Sequence, residues 1–411
     1  MKSFAKYLTE SKGGKNTHME HLEDSVLNGG VNGTREAINF LRGIRDGLTG
    51  NAKKSVDITT KWDGAPAIFA GTDPSDGKFF VAKKGIFNNN PKVYKTNADV
   101  DADTSGDLNT KMKLALAELP KLGIKGVIQG DFLYAKEDIK KVDIDGEPHL
   151  TFHPNTIVYA VPEKTDLAKT IRGSKIGVVW HTTYRGKSFE SMSASFGKEI
   201  ASSLKTTKSV WSVDAVYRDI SGKAMMTKEE SVEFSAILSE VGKIFAKLDK
   251  NTLDSISKNE ELLLRIKTFM NTKVRAGQRI GNTTKFTNDL VDYLLDYFGK
   301  EDEKRKTPRG KEGVTKRKEG VMKFFQNTDK KKIQMIFDLM NLLVDAKLIL
   351  IKKMDQVESI NTLLRTKDGY KVTGQEGFVA IDKKGNAVKL VDRLQFSNAN
   401  FSSEFIKGWQ R

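Results

Sequence analysis

Four short segments carry side chains whose types suit chemistry at a phosphate. They are Lys61-Trp62-Asp63-Gly64, Gln129-Gly130-Asp131-Phe132, Glu376-Gly377-Phe378-Val379 and Val388-Lys389-Leu390-Val391-Asp392-Arg393. A lysine that has lost its proton attacks phosphorus, carboxylates hold Mg²⁺, and a second cation stabilises charge on a phosphate. Only about one lysine in 2,500 is neutral at pH 7 at the reference pKa, so such a site must lower the pKa of the attacking lysine.

The elements that must position these segments are predominantly strands. Val56 and Ile58 alternate before Lys61, and the turn residues at 73–77 predict a hairpin of 65–70 with 78–83. A second hairpin is predicted to turn at 143–146. Further strands are predicted at 126–134, 156–161 and 175–183, and strand character returns over 370–390. The chemical side chains therefore lie within or beside predicted strands.

Helical patterns fill much of the remaining chain. Residues 17–48 predict two helices, the first capped by Asn16 or Thr17 and ended by Gly29-Gly30, the second over 34–48. Apolar spacing of 3.6 residues predicts further helices at 108–122, 229–248, 253–270, 287–297 and 330–354. The basic segment 304–318, broken by proline and glycine, is predicted to be mobile. The predicted fold class is α+β, with an antiparallel β-rich core interrupted by a large helical insertion.

In their order along the chain, the four segments resemble the motifs of the covalent nucleotidyltransferases. That superfamily holds ATP-dependent DNA ligases, RNA ligases and mRNA capping enzymes. The resemblance is carried by K-x-D-G at Lys61, an acid closing a strand at Asp131, E-G-x-V at Glu376 and the final strand lysine Lys389. It implies that Lys61 takes AMP from ATP as a phosphoramidate and releases pyrophosphate.

The same resemblance implies roles for the residues around the nucleophile. Asp63 is expected to be catalytic and Gly64 to bind the nucleotide, and together they would form the turn that presents the Lys61 amine at the lip of a cleft. Asp131 would bind ribose or metal, and Glu376 would hold the catalytic Mg²⁺. Lys389 would contact the α-phosphate of ATP.

Other positions match the superfamily less closely. Lys83 or Lys84 stands where a basic residue touches the nucleotide or the nucleic-acid strand. Trp180 resembles the aromatic residue that stacks on adenine, with Tyr159 as its rival. The second lysine of the last motif is replaced by an apolar residue, and Arg393 is expected to supply the missing charge.

The domain organisation expected from these patterns has three parts. Residues 1–15 form a leader, residues 16–185 and 365–411 form the nucleotidyltransferase core, and residues 186–364 form the helical insertion. Ligases and capping enzymes usually append an OB domain after the last motif, and the residues after Lys389 are too few for one. We expect the insertion to replace that domain as a nucleic-acid clamp, the alternative being a solvated linker between helices. The candidate phosphate contacts are Arg275, Arg279, Lys304, Arg305, Lys306, Arg309, Lys311, Lys316, Arg317 and Lys318.

Composition favours a polyanionic partner. The net charge is +16 at pH 7, and the chain has no cysteine, which excludes disulfides and thiolate chemistry. No apolar run approaches the length of a membrane span. The segment from Met1 to Glu10 resembles the leader that directs proteins into the prohead of large tailed phages, with Leu8-Thr9-Glu10 as the cleavage context. The alternative is an amphipathic first helix, and His18 and His21 are expected on a helix surface.

These observations lead to an ATP-dependent DNA ligase that seals nicks, uses ATP and Mg²⁺, and acts as a monomer on nicked duplex DNA. We expect it in the host cytoplasm or packaged in a phage virion. An RNA ligase of the same superfamily is the nearest alternative. The alternative of another class is a basic DNA-binding protein of the phage head that lacks catalysis.

Overall fold

The strands of the protein form three sheets in this computed structural model, which describes residues 19–50, 56–88, 90–219, 221–357 and 360–409. The predicted leader and His18 lie outside these residues. The strands are β1 (Val56–Lys61), β2 (Ala67–Thr72), β3 (Phe79–Ala82), β4 (Val127–Ala135), β5 (Lys140–Ile144), β6 (Glu147–Phe152), β7 (Ile157–Pro162), β8 (Ile176–Arg185), β9 (Ser193–Phe196), β10 (Val210–Asp214), β11 (Asn361–Arg365), β12 (Tyr370–Val372), β13 (Gly377–Asp382) and β14 (Ala387–Leu390).

The helices surround the sheets or form a layer of their own. They are α1 (Ser25–Leu48), α2 (Asn97–Asp103), α3 (Gly106–Glu118), α4 (Asp166–Gly173), α5 (Lys228–Lys247), α6 (Lys250–Lys258), α7 (Glu260–Arg275), α8 (Thr283–Glu303), α9 (Pro308–Asn327), α10 (Lys330–Met354) and α11 (Arg393–Phe401). The predicted α+β class with antiparallel sheets is confirmed, apart from one parallel pair, β8 with β10.

The three sheets differ in which parts of the chain they join. One has the order β1-β13-β14, so an early strand pairs with two late ones. A second runs β10-β8-β4-β2-β3, with β9 paired to β8, and the third runs β12-β11-β7-β6-β5. The hairpin of β5 and β6 turns at Asp145-Gly146, both with positive φ (54° and 85°), as a two-residue hairpin loop requires.

One face of the β1-β13-β14 sheet packs against the helical layer, and the other face carries candidate site residues. Val56, Phe378, Ala380, Val388 and Leu390 belong to the same buried apolar cluster as residues of α1 and of the helices α5 to α10. Side chains alternate across a strand, so the residues between them point the other way. Lys61 on β1 and Lys389 on β14 lie on this second face.

Helix α1 is bent where the sequence predicts a break. Gly30 has φ 56° and ψ −132°, and a Cβ there would lie 2.2 Å from Asp254 Oδ1. That same oxygen accepts the Val31 N–H at 2.9 Å. The bend therefore lets α1 approach α6 closely. The first helix was predicted over 17–28, whereas α1 begins at Ser25, after a 3₁₀ turn at Leu22–Asp24.

The residues predicted as the helical insertion, 186–364, also contain strands. Residues 193–196 and 210–214 form strands that pair with β8, and β11 pairs with β7, so the helices of the block begin only at Lys228 and end at Met354. The helical layer also includes α1, which packs against α6 and α10. The predicted helix 253–270 is in fact two helices, because Asn259 ends α6 and caps α7.

The predicted mobility of 304–318 is also wrong, since most of this segment is helical. Thr307 caps α9 by accepting the Gly310 N–H at 3.1 Å, and Pro308 occupies the first turn, where its missing N–H costs nothing. The proline therefore starts a helix rather than breaking one. Among the described residues, no helix is long and apolar enough to cross a membrane.

Candidate functional site

Sheet register brings Lys61 and Glu376 together. Lys61 is the last residue of β1 and pairs with Gly377, the first residue of β13, so Glu376 follows directly beyond the pair. The Nζ of Lys61 makes an ion pair with Oε2 of Glu376, and both side chains are half-buried. On the next strand, Lys389 pairs with Val379 and lies on the face turned away from the helical layer.

Asp63 anchors the turn that follows Lys61. Its carboxylate accepts hydrogen bonds from Asn155 Nδ2 (2.6 Å), Thr156 N (2.7 Å) and Ile157 N (2.8 Å). Its own N–H donates to the Tyr159 hydroxyl at 2.7 Å. With its oxygens committed in this way, Asp63 positions the turn, and the predicted catalytic role is not supported.

Gly64 allows the same turn to pack closely against β4. A Cβ at this position would lie 2.5 Å from the Asp131 Cβ and 3.0 Å from the Phe132 carbonyl oxygen. The Phe132 carbonyl also accepts the Ala65 N–H at 2.9 Å. Only glycine permits this approach, and it places the carboxylate of Asp131 beside the Lys61 amine.

The charges of the site are strongly coupled. Burial raises the pKa of Glu376 to about 7, although the Lys61 charge opposes the shift. Burial likewise raises the pKa of Asp131 to about 7, again against Lys61. Burial, the largest single effect, lowers the pKa of Lys61, but the carboxylates of Glu376, Asp131 and Asp63 together raise that pKa above its usual value. In this resting arrangement the amine is an ammonium ion held by the two acids.

Two further lysines face the cluster. Burial lowers the pKa of Lys389, and the positive charges of Lys61 and Lys84 act in the same direction. Lys84 also acts electrostatically on Asp131. Lys83, by contrast, pairs with Asp103 at 3.1 Å. Of the two neighbouring lysines, the structure brings Lys84 to the site and not Lys83.

His181 is a site residue that sequence reasoning missed. Its Nε2 lies 3.7 Å from Asp131 Oδ2, its Nδ1 lies 2.7 Å from Thr182 Oγ1, and burial with the nearby Lys61 lowers its pKa to about 4. The register between β4 and β8 skips His181, since Gln129 pairs with Thr182 and Gly130 with Trp180. This bulge turns the imidazole toward the site, and no local sequence pattern signals it.

The predicted stacking of Trp180 on adenine is not supported either. The indole is fully buried in the apolar cluster that contains Ile68 and Phe132, and a Cβ on Gly130 would touch its ring. Its rival Tyr159 is equally enclosed. Neither ring offers a free face on which adenine could stack.

The guanidinium of Arg393 binds acidic and amide side chains, including one near the start of the described chain. It donates from Nη1 to Asp24 Oδ1 (2.9 Å) and from Nη2 to Asn271 Oδ1 (2.7 Å). Glu23, beside Asp24, forms an ion pair with Lys347 at 2.8 Å, with both side chains at most 3% exposed. The predicted phosphate contact of Arg393 is therefore not supported, because its charge is already neutralised.

Residues 20–24 lie along the edge of β14. The Lys389 N–H donates to the Glu20 carbonyl at 2.9 Å, and His21 forms a parallel bridge with Lys389. Because His21 is extended, makes this bridge and precedes the first helical turn, its expected place on a helix surface is wrong. Burial, the largest effect, lowers the pKa of His21 well below its usual value. Residues 20–24 therefore connect the buried ion pairs of Glu23 and Asp24 to β14, the strand that carries Lys389.

The fit of a magnesium ion rests on two carboxylates. Among the described residues, Oε2 of Glu376 has the Lys61 ammonium as its only close partner, and Asp131 lies beside the same amine. The described part of the chain contains no group of three or more His, Cys, Asp or Glu that could hold a metal. One or two carboxylates completed by substrate phosphates is a usual arrangement for Mg²⁺. Glu376 and Asp131 therefore fit such an ion together with a nucleotide.

The predicted nucleic-acid contacts all lie in the helical layer, and several are paired with acids. Arg279 contacts Asp345 at 2.6 Å, and Lys304 and Arg305 both contact Glu301. Further pairs are Lys311 with Asp302, Lys316 with Glu312, and Arg317 with Glu261. Lys306, Arg309 and Lys318 are exposed or half-buried at the helix surface. Exposed pairs are weak, so these cations stay available to a polyanion.

The opposite pKa shifts of the two site lysines predict an order of reactivity. Trace acetylation across pH 6–11, followed by mass spectrometry of the peptides, should give a lower pH midpoint for Lys389 than for Lys61. The reason is that burial and the nearby Lys61 charge lower the pKa of Lys389, whereas neighbouring carboxylates raise the pKa of Lys61. A Lys61→Arg variant identifies the Lys61 peptide. Equal midpoints, or Lys61 reacting first, would contradict the electrostatics described above.

The sequence matches the model of a family of unknown function (DUF6267) over residues 16–405. No curated protein and no solved structure matches the chain.

Proposed function

Since the chain belongs to the DUF6267 family, whose function is unknown, we propose its function from the site itself: an ATP-dependent polynucleotide ligase that works through a lysyl-adenylate on Lys61. One observation carries the proposal. Lys61, Asp131, Glu376 and Lys389, from three regions of the chain that are far apart in sequence, meet on one side of the β1-β13-β14 sheet with strongly coupled charges. A solvated surface lysine would not need two half-buried acids and a second half-buried lysine.

The first step joins AMP to Lys61. The neutral amine attacks the α-phosphorus of ATP, an N–P bond forms, the P–O bond to pyrophosphate breaks, and the amine proton leaves to solvent. Mg²⁺ held by Glu376 and Asp131 would replace the ammonium as their counter-charge, which lowers the pKa of the attacking amine. Lys389 and Lys84 supply positive charge toward the phosphate oxygens.

The later steps need the same cations. A 5′-phosphate oxygen attacks the α-phosphorus, the N–P bond breaks, and Lys61 recovers its proton. The oxygen of a 3′-hydroxyl then attacks the phosphorus of the activated 5′-phosphate, its proton leaves to solvent, and the P–O bond to AMP breaks. Asp63 and Gly64 keep the lysine in place through these steps, because the turn is held by four hydrogen bonds of Asp63 and by the contact with β4.

Labelled donors test the proposal directly. The protein is incubated with Mg²⁺ and α-labelled ATP, GTP or adenylate-labelled NAD, denatured, and assayed for bound label. Label from ATP alone is expected. Nicked DNA, nicked RNA and a hybrid, each with a labelled 5′-phosphate, then report strand joining, with nicked duplex DNA expected to be sealed best. Absence of label from all three donors would overturn the proposal.

A second candidate is a basic DNA-binding protein with an inactive core. The raised pKa of Lys61 and its ion pair with Glu376 favour this alternative, because a protonated amine is not a nucleophile. The two candidates differ in one result. An inactive core binds DNA but takes up no label from ATP at any Mg²⁺ concentration.

The cations on the surface of α9 predict a salt-dependent contribution to DNA binding. Changing Arg309, Lys311, Lys316 and Lys318 to glutamine should flatten the plot of log affinity against log salt by about 0.9 for each phosphate that is no longer neutralised. The measurement is nicked-duplex affinity over a range of moderate salt concentrations. A matched control changes Lys164 and Lys169, which lie near and in α4 outside the helical layer. If the plot of log affinity against log salt had the same slope in the α9 variant, the proposed role of the helical layer as a nucleic-acid clamp would be wrong.

A further inference from the structure

Trp409 differs from the other tryptophans of the chain in its exposure. It is 65% exposed, whereas Trp62, Trp180 and Trp211 are at most 8% exposed. Burying a large aromatic ring is favourable, so a ring that stays in water is available to a ligand that covers it. Single exposed apolar residues are common in proteins, and the surroundings of the ring decide what it can bind.

Gly408 fixes the backbone beside Trp409. Its N–H donates to the Asn155 carbonyl oxygen at 2.6 Å, and a Cβ on Gly408 would lie 2.0 Å from the His153 carbonyl oxygen. The side chain of Asn155 in turn donates to Asp63 Oδ1 at 2.6 Å, in the turn that follows the proposed nucleophile. Trp409 therefore follows a backbone segment that is bonded, through one residue, to the turn of the candidate site.

The surroundings of Trp409 are basic. The Ile406 N–H donates to the Arg365 carbonyl oxygen at 2.8 Å, which joins the segment before Trp409 to the end of β11. Lys407 is only 4% exposed. Burial lowers the pKa of His153 to about 4, and the charges of Arg365 and Lys407 act in the same direction. Both cations thus lie near the imidazole against whose backbone the Trp409 segment packs, where they favour a polyanion.

We propose that Trp409 stacks on an unpaired base of the nucleic-acid substrate and thereby holds one strand beside the turn of Lys61. Sequence-tolerant binding of a single strand combines cations along the backbone with aromatic rings on which bases stack. The two rings predicted to stack on adenine, Trp180 and Tyr159, are fully buried and cannot take this part. This role deepens the proposed ligase function and rests on it for the choice of nucleic acid as the partner.

Fluorescence of Trp409 tests the contact without any catalysis. Acrylamide quenches exposed tryptophans, so most of the quenching in the parent protein should come from Trp409, and a Trp409→Phe variant identifies that share. The probes are a single-stranded DNA oligonucleotide of mixed sequence, an oligomer of the same length with an abasic sugar at every position, and ATP with Mg²⁺. Only the oligonucleotide that carries bases should protect Trp409 from acrylamide.

The affinity for the same oligonucleotide should depend on an aromatic ring at position 409. Trp409→Ala should weaken binding at least about fivefold, the lower bound for the loss of one stacked base, whereas Trp409→Phe should bind nearly as the parent does. The slope of log affinity against log salt should be unchanged in Trp409→Ala, because no phosphate contact is lost. Val232→Ala truncates another exposed apolar residue, in α5, and should leave the affinity unchanged.

Three results would overturn the role of Trp409. Protection by ATP equal to that by the oligonucleotide would assign the ring to the nucleotide, and equal protection by the abasic oligomer would assign the effect to phosphate contacts. The third is a Trp409→Ala variant with the affinity of the parent, or with a lower salt slope. If the parent takes up no label from ATP while the oligonucleotide still protects Trp409, the ligase function fails and the stacking role stands.

Discussion

Replacing Lys61 with arginine is expected to abolish covalent transfer of AMP while leaving the fold intact. Arginine keeps a positive charge opposite Glu376, so residue 61 and Glu376 still form an ion pair. The guanidinium cannot be deprotonated in proteins and therefore cannot attack phosphorus. Label bound from α-labelled ATP should fall by at least about 10³-fold, as expected when a nucleophile is removed.

The control for this variant is Lys92→Arg, which alters an exposed lysine paired with Asp103. It should bind label as the parent does, and both variants should unfold at nearly the same urea concentration. Label that persists in Lys61→Arg would place the covalent bond on another side chain. Lys389, with its lowered pKa, would then be the first to test.

Replacing Lys347 with methionine is expected to cost about 3–5 kcal/mol of unfolding free energy, the range for removing one partner of a buried ion pair. Lys347 contacts both carboxylate oxygens of Glu23 at 2.8 and 2.9 Å, and neither side chain is more than 3% exposed. Without the ammonium, Glu23 stays buried, and the remaining cation that pairs with it among the described residues is Arg393, at 3.6 Å, which already binds Asp24. Urea unfolding followed by circular dichroism measures the change.

Two comparison variants make this second prediction specific. The double variant Glu23→Gln, Lys347→Met should recover much of the loss, because the uncompensated charge is gone. Lys300→Met removes an exposed partner of Asp296 and should change stability by less than about 1 kcal/mol. A Lys347→Met protein as stable as Lys300→Met would show that the buried pair contributes little.

Local patterns are enough to predict most strands and several helices. The Asp145-Gly146 turn fixes the hairpin of β5 and β6 by itself, and the apolar spacing of 330–354 gives α10 its observed bounds. The error at α9 has a local cause as well. Proline and glycine suggest a broken segment there, although Thr307-Pro308 is also a good cap and first turn for a helix.

Parts of the site depend on contacts that no local pattern reveals. The meeting of Lys61 with Glu376 and Lys389 can be predicted because each lies at a strand end or within a strand. The predicted roles of Trp180 and Arg393 fail because a bulge at His181 and a buried acid at Asp24 decide them. Bulges and long-range ion pairs are determined by the packing of distant segments, so local patterns in a single sequence do not predict them.

The pairing of β1 with β13 has a consequence for synthesis of the protein on the ribosome. Lys61 meets no Glu376 until the whole stretch between them has been translated, and β1 has no partner on that side before then. Contacts of such long range form slowly, because a large loop must close first. The nascent chain thus carries Lys61 without its acidic partner, and a product that stops before residue 377 would expose an unpaired strand edge prone to association with other chains.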